Sequence, residues 1–139
     1  MDLASLDTAD LANQGMVMQV HSPLGPVWVE DENGDPTDVP VTITLLGDDS
    51  DLMQKFDRAS VNQSFRAGQV LTAEISEAKA INRAARATVG WSGVTLDGEA
   101  LTFSEENAKR LYKRFRWLRA GVQQFVSDRA NFLNASPKG

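Results

Sequence analysis

Val39-Pro40-Val41-Thr42-Ile43-Thr44-Leu45-Leu46-Gly47-Asp48-Asp49-Ser50-Asp51 marks the change from sheet to helix in this 139-residue chain. The β-branched, apolar run Val39–Leu46 reads as a strand that Gly47 ends. Asp48-Asp49-Ser50-Asp51 behind it supplies an N-cap and acids for a helix N-terminus. Its carboxylates suit the positive end of the helix dipole. Sheet therefore lies before this point and helix after it. The expected fold class is α+β, a small N-terminal antiparallel β-sheet followed by a mainly α-helical C-terminal part.

Upstream, residues 1–14 are polar with scattered Leu3, Leu6 and Leu11, as in a short helix or a docking arm. Met16–His21 alternates as a strand does. Ser22-Pro23-Leu24-Gly25-Pro26 turns the chain, and Val27-Trp28-Val29-Glu30 resumes as the other half of a hairpin. Asp31-Glu32-Asn33-Gly34-Asp35-Pro36 is a further turn, because Asn-Gly takes positive φ at little cost. With Val39–Leu46 these runs predict a three-stranded, mostly antiparallel sheet.

Downstream, Leu52, Phe56, Ala59 and Val61 fall at helical spacing to about Ser64, with a break at Gly68. Leu71, Ile75, Ala78, Ile81, Ala85 and Val89 predict a second helix over 70–89, stopped by Gly90. Asp97-Gly98 turns between two short strand-like pieces. Ser104 caps a helix with Glu105 and Glu106 in its first turn and bases later on. A last helix is expected from about Trp117 to Leu133. The expectation is one domain over 1–139: an acidic β-rich part at 1–47, a helical part at 48–134 and a loose tail at 135–139.

Charge divides the same way. Residues 1–54 hold eleven acids and no Lys or Arg, while residues 55–139 hold eight acids and all fourteen bases. The halves carry −11 and +6, so they can pair within one fold or between copies in a ring or filament. No apolar run is long enough to span a bilayer, and Met1–Asp7 has no signal-peptide character. There is no cysteine and hence no thiolate or disulfide chemistry. A cytoplasmic protein fits these features.

Catalytic patterns are lacking. His21 is the single histidine, so no histidine cluster or triad can be assembled around a second one. Asp31–Asp35 and Asp48–Asp51 read as turn and cap rather than cation sites. No enzyme activity, cofactor or metal is expected. The run Lys109–Arg119 interleaves bases with Tyr112, Phe115 and Trp117, a pattern that can track phosphates and stack on bases. Against that, Leu111, Phe115 and Leu118 form an apolar helical stripe, and the acidic half would repel a polyanion, so nucleic acid is the lesser reading. Trp91, Phe103, Trp117, Phe125 and Phe132 are the candidate partner-binding residues, since aromatics anchor protein interfaces. Their default place is nonetheless the core.

Two blocks resemble the tail assembly chaperones of long-tailed bacteriophages and prophages. The first is Ser5-Leu6-Asp7 and Gly15-Met16-Val17-Met18, then Pro40–Asp51. The second is Gly90-Trp91-Ser92-Gly93, Leu96-Asp97-Gly98-Glu99 and Phe103–Ala108, then Trp117-Leu118-Arg119 and Asp128–Phe132. Ala120-Gly121-Val122 departs from the Gln-rich join often found there. The resemblance implies an accessory protein of the host cytoplasm that keeps the phage tape measure protein soluble until tail tube protein assembles around it. It also implies a longer, frameshifted form, with which Pro137-Lys138 is compatible, and a possible homo-oligomer. A structural head–tail or tail component of the virion is the competing reading.

Overall fold

The computed structural model describes residues 1–68 and 70–133; the tail expected at 135–139 and the Pro137-Lys138 pair lie outside the described residues. A 3-10 turn at Leu3–Leu6 precedes α1 (Ala9–Gln14). Six strands follow: β1 (Met16–Gln19), β2 (His21–Ser22), β3 (Gly25–Pro26), β4 (Trp28–Glu30), β5 (Pro36–Pro40) and β6 (Thr42–Leu45). Helices α2 (Asp51–Ala67) and α3 (Ala73–Ala87) lead into β7 (Thr88–Ser92), β8 (Thr95–Leu96) and β9 (Glu99–Ala100). Helices α4 (Glu105–Arg114) and α5 (Arg116–Ser127) and a 3-10 turn at Arg129–Phe132 complete the described chain. The class is α+β.

The central sheet differs from the one expected. Its order is β1-β6-β7, antiparallel throughout, with Met18 opposite Ile43 and Ile43 opposite Trp91. Its third strand comes from residues read as the end of a helix and its glycine stop. The alanine-rich helix ends at Ala87, and the β-branched and aromatic residues of Thr88–Ser92 turn extended. Pairing there satisfies the second edge of β6, whose Ile43 and Leu45 are wholly buried. That gain outweighs two more residues of local helix.

Val27–Glu30 does not join this sheet. Residues 21–26 close a tight β2–β3 hairpin, and β4 pairs with β5 around the Asn33-Gly34 turn. Asp31 Oδ1 accepts from Asn33 and Asp35 amides at 2.9 and 3.0 Å and holds that turn. Both hairpins are fastened at Val20, Val27 and Val41, whose backbones bond one another at 2.9–3.0 Å. The expected strand 39–46 is thus two strands, divided at Val41.

The core lies between sheet and helices. Ile43, Leu45 and Met53 meet Ile81, Ala84 and Ala85 of α3, Leu111 and Tyr112 of α4, and Leu118, Val122 and Val126 of α5. Small residues on α3 let it approach closely. The last helix breaks earlier than expected: Asp128 ends α5 and caps the Arg129–Phe132 turn by accepting from Ala130 at 3.1 Å. No helix among the described residues is long and apolar enough to cross a membrane.

Candidate protein-binding surface

Helices α2 and α3 form an antiparallel hairpin, with Asp57 bonded to Arg83 and Ser64 to Lys79. Ser50 starts α2 by accepting from Met53 at 3.2 Å, and Gly68 ends it with φ 58°. Near its start α2 turns Met53 and Phe56 inwards, and Met53 is fully buried. One helical turn at a time, that inner face becomes Ser60 and then Ser64. Its apolar residues swing outwards instead: Val61 is 66% exposed and Phe65 86%.

Val61 and Phe65 are one turn apart and share a face of the helix. Val70 and Leu71, in the connection to α3, are 78% and 67% exposed. Four large apolar side chains thus stand at the far end of the hairpin. A hairpin tip that exposes apolar side chains in this way has the composition of an interaction site. Between the two helices runs an open groove of about 1190 Å³, continuing to Glu105 and Lys109 of α4.

Salt bridges hold the base of the hairpin. Arg83 reaches Asp57 at 2.8 Å and Asp48 at 2.9 Å, and these contacts hold its guanidinium more firmly in the charged form. Asp48 and Asp49 are therefore ion-pair partners rather than members of the helix cap, with Asp49 bonded to Arg129 and Thr8. No group of acids or His able to hold a metal exists among the described residues. His21 is exposed, its Nδ1 3.1 Å from the Gln19 carbonyl.

The five expected aromatics fall into separate places. Trp91 is in β7; its indole N–H donates to the Leu101 carbonyl at 2.8 Å and its ring meets Phe103 edge-on at 5.1 Å. That pair fastens the β8–β9 hairpin to the sheet. Phe132 is 1% exposed, with Phe125 edge-on at 5.7 Å, and offers a partner no surface. Trp117 is 37% exposed and leans on Phe115 at 5.8 Å. Only Trp117 and Phe125 share a cleft, of about 280 Å³, with Met18, Gln19 and His21.

Within the basic run, Leu111, Tyr112 and Leu118 are buried, while Lys113, Arg114 and Arg116 point outwards. Several bases have internal partners: Arg114 pairs with Asp97 at 2.9 Å and Arg119 donates to the Tyr112 carbonyl at 3.0 Å.

Fold and surface define a small α+β protein whose α2–α3 hairpin carries exposed apolar side chains at its far end. No family model matches the chain, and neither a curated protein nor a solved structure does.

Proposed function

We propose that the chain is a binding protein that keeps an apolar polypeptide in solution, acting as a tail assembly chaperone for the tape measure protein of a long-tailed phage. The observation that carries this reading is the exposed tip of the α2–α3 hairpin, above all Phe65. An exposed phenylalanine gains about 1.5–3 kcal/mol when a partner buries it, and Val61, Val70 and Leu71 add to that around it. A holdase needs such anchors on a body that stays soluble, and the net charge of −5 serves the second need. The resemblance in the Pro40–Asp51 and Gly90–Phe132 blocks supplies the identity of the partner.

The test is co-expression with the tape measure protein of the same phage genome. The reading predicts that the partner moves from the insoluble to the soluble fraction and co-purifies with this chain. A partner that stays insoluble, with this chain recovered instead from purified virions, transfers the assignment to a structural tail component.

A further inference from the structure

The α2–α3 groove has basic walls. Lys55, Arg58, Lys79, Arg86 and Lys109 line it, against Asp51 and Glu105 alone. Arg86 and Lys109 share Glu105, at 3.2 and 4.0 Å, and Lys79 bonds Ser64. Lys55 and Arg58 are exposed and make no ion pair among the described residues. Between these bases Leu52, Phe56 and Ile75 supply an apolar floor. Such a groove fits a short acidic segment that carries apolar residues on one side.

This chain contains one. Asp2-Leu3-Ala4-Ser5-Leu6-Asp7 forms a 3-10 turn with no buried residue, Leu3 77% and Leu6 44% exposed. In a 3-10 helix residues i and i+3 eclipse, so Leu3 and Leu6 form one apolar edge. Asp2 and Asp7 flank it, exposed, while accepting from the Ala4 and Ala9 amides at 3.0 and 2.9 Å. Behind the turn the chain is tied to its own body, Thr8 to Asp49 and Asn13 to the Asp51 amide. None of residues 2–7 lines the groove of the same molecule.

We propose that residues 2–7 of one copy seat in the α2–α3 groove of the next, Leu3 and Leu6 on its floor and Asp2 and Asp7 against Lys55 and Arg58. The contact is head-to-tail, so it builds rings or open chains rather than closed two-fold dimers. Six residues bury little area, which puts each contact in the weak, transient class. Its charges make it sensitive to salt. The proposal does not depend on the tape measure reading, which rests on the hairpin tip.

Sedimentation velocity on the full chain over a range of concentrations tests it. The wild type is expected to gain mass with concentration at low salt and to return to monomer in about 1 M salt, where the Debye length is about 3 Å. Lys55→Glu/Arg58→Glu and Asp2→Lys/Asp7→Lys are each expected to lose association; the first keeps the wild-type melting curve, while the second, which also removes the bonds to the Ala4 and Ala9 amides, is expected to lower it slightly. Mixed in equal amounts, the two variants recover it, since each then offers a groove of opposite sign to the other's arm. The proposal is overturned by a wild type that is monomeric at every concentration, including one whose groove variant loses only the tape measure protein. Variants that associate unchanged, or a mixture that fails to recover, overturn it equally.

Discussion

The phenol of Tyr112 lies 2.6 Å from the Thr88 hydroxyl, both buried, where α4 crosses the junction of α3 and β7. Thr88 Oγ1 donates to the Ala84 carbonyl at 2.8 Å, so Tyr112 is the donor in the pair. The bond fastens a helix to the first residue of the strand that completes the sheet. Tyr112→Phe keeps the ring and removes the bond, at a cost of about 1 kcal/mol. Burial pushes the phenol up to about 12. A raised value means the fold prefers the neutral phenol. Its contribution is complete below the ordinary value of 10.0 and is lost as pH rises from there towards 12. Tyr112 is the sole tyrosine, so ultraviolet titration of the native protein reads it directly. The Phe variant should lose less stability over that alkaline interval.

Gly121 sits inside α5, and a Cβ added there meets nothing within 4 Å. Glycine costs a helix up to about 1 kcal/mol relative to alanine. Gly121→Ala is therefore expected to stabilise the protein by up to that amount, raising the melting temperature by about 3–5 °C for a chain of this size. A scanning calorimetry trace with an unchanged or lower midpoint counts against this account of α5.

Gly47 behaves oppositely. A Cβ there would lie 2.9 Å from the Ala12 Cβ and 3.1 Å from two carbons of the Phe132 ring. The glycine lets α1 and the Arg129–Phe132 turn close over the end of β6. Gly47→Ala should cost about 1–3 kcal/mol by overpacking, measured as a lower urea midpoint at unchanged slope.

Asp49 is held below the usual carboxylate range, first by its bond from Arg129 and then by that from Thr8. A depressed carboxyl stabilises the fold above its unfolded value, near 3.8, and that contribution is lost as pH falls through the lower folded value. Arg129 is largely exposed, so the contribution stays well under about 1 kcal/mol. Asp49→Asn is expected to lose that small contribution at pH 7, to converge with the wild type in acid and so flatten the acid limb of stability below pH 4, and to speed amide exchange in α1 and Arg129–Phe132.

Local chemistry made much of this legible from the residues: the Asn33-Gly34 turn, a helix cap within Asp48–Asp51, the Ser104 cap, the break at Gly68 and a strand ending before Gly47 each depend on near neighbours. Strand β7 does not. Ala78, Ile81 and Ala85 fit a helix that continues to Val89, and only β6, more than forty residues earlier, draws Thr88–Ser92 into the sheet. The aromatic candidates failed to gather for the same reason, since the carbonyl that takes up the Trp91 N–H belongs to Leu101 across a hairpin. The tip of α2 had a readable signal in Ser60 and Ser64. Serines on the inward-facing helical positions mean that no core lies opposite, and Val61 and Phe65 are then left outside.

Phe65→Ser should leave stability within about 0.5 kcal/mol of wild type, because its ring is 86% exposed, yet weaken capture of the tape measure protein. Parallel urea melts and co-expression yields check both halves of that statement.

The most direct measurement is hydrogen exchange on this chain, free and in complex with the tape measure protein. The account predicts slowed exchange concentrated in the second half of α2 and the first turns of α3, around Val61, Phe65 and Leu71. Protection confined to α5 around Trp117 and Phe125, with the α2–α3 tip exchanging as in the free chain, contradicts it.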